Sequence, residues 1–148
     1  MKEKKQSANW YIAATHYLTT VVMLFVLGLI VGVIEVILHI PSVSGFDIFN
    51  LVMAVFTVWL ATRYAAKFIN NQYIISDKKK IIALSTVYMV IIYVLFNLAP
   101  SASKINLSYR IVNVIWVSGL FYFFSQKYVS DNSTQLPSPQ VIQQSPVK

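Results

Sequence analysis

The sequence predicts an all-α fold: a four-helix transmembrane bundle with both termini on the cytoplasmic side and a disordered C-terminal tail. Three observations predict it. Four long apolar stretches, 21–34, 46–61, 81–98 and 111–124, dominate the 148 residues. A composition that is 57% hydrophobic and 11% charged leaves too little polar surface to coat an ordinary core in water. Lys and Arg are also lopsided about the stretches: Lys2, Lys4, Lys5, Arg63, Lys67, Lys78, Lys79, Lys80, Lys127 and Lys148 fall on one side, and Lys104 and Arg110 on the other. That bias is the positive-inside pattern of a multi-pass inner (plasma) membrane protein, with the connection 63–80 and both termini in the cytoplasm.

A spanning helix needs roughly 20 apolar residues, and four such spans are expected at about 14–40, 46–68, 80–99 and 107–127. The first helix is expected to begin before its membrane part, near Ser7, as an interfacial extension led by Lys2, Lys4 and Lys5. Its basic start and apolar run resemble a signal peptide, with Ser42-Val43-Ser44 as small residues for cleavage. The long lead-in, and Glu35 and His39 at the far end, favour a retained span. Pro41 closes this helix, and Ser44 with Asp47 resembles a capping box for the second. Ser76-Asp77 supplies an N-cap for the third helix, which ends before Pro100, and Asn106 or Ser108 starts the fourth. Trp10, Tyr11, Tyr17, Tyr73, Tyr122 and Tyr128 fall near span boundaries, where amphipathic rings favour the headgroup zone. Residues 1–128 thus form one membrane domain. The Ser-, Gln- and Pro-rich 129–148 cannot bury enough apolar surface to fold alone and reads as a flexible cytoplasmic tail.

Polar residues within spans are costly and therefore informative. Gly28, Gly32, Glu35 and His39, spaced four, three and four apart, form one stripe on the first helix. The glycines admit close approach of another helix, from this chain or a second copy. Glu35 and His39 should share the outer leaflet with Asn97, Arg110 and Asn113. One reading is a structural knot in which Glu35 pairs with Arg110 and fixes helix order. The other is a proton-titratable or ligand-binding site around Glu35. Arg63, Lys67, Lys78, Lys79 and Lys80 form an inner basic surface toward anionic headgroups. His16 beside Tyr17 reads as an interfacial side chain, and Asp77 as a cap among lysines.

The chain has no cysteine, which removes disulfides, thiolate nucleophiles and cysteine metal sites. Its two histidines lie near opposite faces, so no metal site and no cofactor is expected. There is no G-x-S-x-G, H-E-x-x-H or phosphate-cradling glycine loop. No catalytic residue is assigned and no nucleic-acid partner is expected, since the positive charge sits beside spans.

Arg63-Tyr64-Ala65-Ala66-Lys67-Phe68-Ile69, followed by Ser76-Asp77-Lys78-Lys79-Lys80, resembles the connection between spans two and three in the ABZJ-type family of small four-span bacterial membrane proteins. Tyr73-Ile74-Ile75 stands where that family has Arg and Leu-Pro. The resemblance covers about 20 residues and implies an inner-membrane location and no particular activity. The residues themselves leave two functional readings. One is a non-enzymatic protein that binds a membrane partner, as an accessory subunit or an immunity protein. The alternative is a small proton-coupled homodimeric transporter using Glu35.

Overall fold

The computed structural model describes residues 4–37, 48–98 and 107–132. They form four helices: α1 (Asn9–Ile37), α2 (Ile48–Gln72), α3 (Lys78–Leu98) and α4 (Leu107–Tyr128), with no strand among the described residues. α1 begins at Asn9 rather than near Ser7, and α2 runs to Gln72, past the expected end of its span. Among the described residues two helices are long and apolar enough to cross a membrane, α1 over Asn9–Ile34 and α2 over Leu51–Gln72. Pro41, Ser44, Asp47, Pro100 and Asn106, where turns and caps were expected, lie outside the described residues. The expected cap of α3 is present: the Lys80 amide donates to Asp77 Oδ1 at 3.0 Å, covering one of the helix's unpaired first-turn donors.

α1 packs on α2 and α3, and α4 packs on the same two helices, so the cyclic order is α1, α2, α4, α3. α2 and α3 therefore stand diagonally opposite, although only residues 73–77 connect them. So short a connector cannot go around a neighbouring helix and must pass beneath the bundle. It becomes a floor at the basal end, where α1 and α3 begin and α2 and α4 finish. Tyr73 and Ile75 are buried there in a cluster with Ile12, Ala13, Ala66, Ile69, Ile81, Ile82 and Val129.

A buried connector must find partners for its peptide groups, and both terminal segments supply them. The Lys5 amide donates to the Gln72 carbonyl at 2.8 Å, and the Ile74 amide donates to the Lys5 carbonyl at 3.0 Å. From the other side, the Ile75 amide donates to Asn132 Oδ1 at 2.6 Å. Asn132 Nδ2 donates to the carbonyls of Asn70 and Tyr73 at 3.3 and 3.2 Å. The last carbonyls of α4 are covered too, Gln126 by Lys78 Nζ at 2.6 Å and Tyr128 by Asn70 Nδ2 at 2.9 Å. A lysine at a helix C-terminus also suits the helix dipole. The packed structure thus continues to Asn132 and takes in the first four residues, 129–132, of the expected tail. Val129 fills the basal cluster and Asn132 holds the floor, so composition alone placed that boundary too early. The rest of the expected tail lies outside the described residues.

Candidate functional site

Each helix turns a narrow stripe inward: Ile12, Ala13, His16 and Thr20 on α1; Val58, Ala61, Thr62, Ala65, Ala66 and Ile69 on α2. α3 contributes Ile81, Ile82, Ser85 and Met89, and α4 contributes Val117, Ser118, Phe121 and Ser125. The spacings of three and four are those of one helical face. A second apolar cluster, Val58, Met89, Val117 and Phe121, lies farther from the base. In register, one polar residue per helix stands between the two clusters. Thr62 is four residues from both Val58 and Ala66, Ser85 four from both Ile81 and Met89, Ser125 four from both Phe121 and Val129, and His16 four from Ile12. Sealed on both sides by hydrocarbon, these four residues make a polar layer across the bundle.

His16 is its centre and is fully buried. The interfacial position expected for it is corrected: its face of α1 turns onto α3 and α4, with Nδ1 3.3 Å from Ser85 Oγ and its ring centroid 5.2 Å from that of Phe121. The Ser85 hydroxyl also lies within hydrogen-bond reach of the carbonyls of Ile81 at 2.7 Å and Ala13 at 3.2 Å. Where its proton goes to either carbonyl, Nδ1 of the histidine is the donor. Its Nε2 has no partner, nor do the buried hydroxyls of Thr62, Ser118 and Ser125. Thr20, Thr57 and Thr86 bond back to carbonyls one turn earlier, the usual refuge of a hydroxyl in a helix. An unmade bond at a buried polar atom costs about 1–3 kcal/mol. The layer is thus a set of hydrogen-bonding groups held at a cost in stability. His16→Met, which keeps bulk and removes the orphaned nitrogen, is expected to leave the thermal midpoint unchanged or raise it by up to about 1 kcal/mol of stability. A fall in the midpoint on melting the variant in detergent would mean that the imidazole is fully bonded in the native protein.

The expected sites fall elsewhere. Arg63, Lys67, Lys78, Lys79 and Lys80 all stand toward the basal end, Arg63 with its guanidinium 5.5 Å above the Trp59 ring, and all but the half-buried Lys78 are exposed. Gly28 and Gly32 lie in the distal half of α1, and among the described residues no neighbouring side chain or other helix comes within 4 Å of where a Cβ would stand on either. Asn113 is half-buried on α4. His39 lies outside the described residues, as do the side chains of Glu35, Asn97 and Arg110. Among the described residues no cluster of His, Asp or Glu could hold a metal ion.

Sequence reasoning missed Thr62, Ser85, Ser118 and Ser125. The available signal was their four-residue offset from inward apolar positions. Compared with protein-family models, curated proteins and solved structures, the chain matches none.

Proposed function

We propose that the chain is a non-enzymatic, multi-pass inner-membrane protein with both termini cytoplasmic, and that it works by binding a membrane partner through the distal half of α1. The membrane reading draws on an inverted distribution of polarity. His16, Thr20, Thr62, Ser85, Ser118 and Ser125 are buried, while large apolar side chains face outward on all four helices: Phe25 and Leu29, Val52 and Phe56, Ile91 and Leu95, Ile115 and Phe123. Hydrocarbon solvates such a surface and water does not. Four spans with the basal end cytoplasmic place Arg63, Lys67, Lys78, Lys79 and Lys80 at anionic headgroups.

The single observation that carries the partner reading is the bareness of α1 at Gly28 and Gly32. Two glycines four apart on a spanning helix permit close approach of a second helix, and no helix among the described residues comes within 4 Å of a Cβ at either. The test is purification at native expression level in mild detergent, with mass spectrometry of co-eluting proteins and the mass of the particle. A stoichiometric partner that survives a salt wash, and is lost in Gly28→Leu, is the expected outcome. Because no described neighbour stands within 4 Å of a Cβ added at Gly28, Gly28→Leu should melt within about 0.5 kcal/mol of the parent. A clean homodimer, with proton flux abolished by Glu35→Gln, would replace this reading with the transporter.

A further inference from the structure

At the basal end, beside the start of α1, a hollow of about 360 Å³ is lined by Lys5, Ser7, Ala8, Trp10, Tyr11 and Tyr73. That volume is near the lower end of ligand-sized sites, roughly 300–1,000 Å³. Its walls are ordered. Lys5 is pinned through its amide and its carbonyl to Gln72 and Ile74, and the Tyr11 ring stands edge-on to Trp10 at 5.9 Å and to Tyr73 at 6.1 Å. The described lining residues carry an ammonium, a serine hydroxyl, two phenols and an indole N–H, and no carboxylate among them. Burial lifts the Tyr73 phenol above its ordinary value, and the phenol is already hydrogen-bonded with Thr15 and Tyr11. The Lys5 ammonium, the Ser7 hydroxyl and the Trp10 N–H are left as donors that suit an anion, and a phosphate ester supplies acceptor oxygens for them.

A second feature selects the kind of phosphate ester. Directly above Tyr11 on the same flank of α1 come Leu18, Val22 and Phe25, seven, four and three residues on, with 61%, 54% and 67% of their surfaces exposed. One turn carrying Ala14 and Thr15 separates the hollow from this exposed apolar track, so the hollow opens at its foot. We propose that this is a binding site for an anionic phospholipid, its phosphodiester against Lys5 and the aromatic walls and an acyl chain along Leu18, Val22 and Phe25. The proposal rests on the membrane-spanning reading. It lies nearer the base than the partner surface, since Gly28 and Gly32 come three and seven residues beyond Phe25 along the helix. A headgroup bound here touches the arm that carries Lys5, α1 and the connector at Tyr73, so the lipid would join the arm and floor from outside.

The experiment is native mass spectrometry of the full chain released from detergent with equimolar phosphatidylglycerol and phosphatidylcholine. Membrane sedimentation of the same preparation separately checks the spanning reading. Preferential retention of phosphatidylglycerol is expected. Lys5→Gln should reduce it about five-fold, the effect of one headgroup-facing lysine, and Trp10→Ala should also reduce it. Lys127→Gln, which changes an exposed lysine outside the hollow, should bind as the parent does. The Lys5 backbone bonds survive its substitution, and an unchanged helical circular dichroism spectrum confirms the fold. Equal retention of the two lipids, parental binding by Lys5→Gln, or an equal loss in Lys127→Gln would overturn the site. Displacement of the lipid by soluble glycerophosphoglycerol at matched concentration would overturn the lipid assignment in favour of a free phosphate ester.

Discussion

Phe121→Ala is expected to cost about 3–5 kcal/mol of stability, the largest loss from a single truncation among the described residues. Phe121 is the largest fully buried side chain among them, seated between Ser118 and Ser125 on α4 with its ring against His16 and in one cluster with Val58, Met89 and Val117. The space it leaves is slow to collapse, because His16 and Ser85 on its far wall are tied by hydrogen bonds to each other and to backbone carbonyls. Phe121→Leu keeps most of the volume and should lose less than about 1.5 kcal/mol. Phe123→Ala, two residues away but 62% exposed, should change little. Denaturant titration in micelles reads all three. If Phe121→Ala and Phe123→Ala cost the same, the centre of the bundle is not packed as described.

Asn132→Ala should cost about 2–3 kcal/mol, since it strands the buried Ile75 amide and removes two donors from the ends of the connector. Asn132→Asp retains an acceptor for Ile75 but turns a negative oxygen toward the carbonyls of Asn70 and Tyr73. It should be no better than alanine. Amide exchange supplies the local readout: the Ile75 proton should exchange far faster in either variant while amides in the middle of α2 keep their protection. Unchanged exchange at Ile75 would show that Asn132 is not its partner in solution.

Much of the fold was legible because its signals are local. Four apolar stretches give four helices, and Asp77, three residues before Lys80, gives a cap that the geometry reproduces. The basic residues between the apolar stretches mark one end of the molecule. What was not legible depends on which helices stand opposite. Thr62, Ser85, Ser118 and Ser125 are single hydroxyls in apolar runs, and nothing local says whether each faces outward or toward a neighbouring helix. His16 was misplaced for the same reason: its position in the chain suggests a boundary, whereas its helical face, one turn from Ile12 and one from Thr20, points inward. The diagonal arrangement of α2 and α3 follows from no local signal, yet it forces residues 73–77 under the bundle and draws 129–132 out of the expected tail.

That floor also sets an order of assembly. Chains are made from the N-terminus, so the arm containing Lys5 can meet the connector as soon as α2 and α3 exist, while Asn132 emerges after all four helices. Until then the Ile75 amide and the carbonyls of Asn70 and Tyr73 lack their partners, and the base stays open to water and proteases. Among the described residues, the bonds made by Asn132 are thus the ones that wait longest for their partner, and a chain cut short before it leaves the Ile75 amide without its side-chain acceptor.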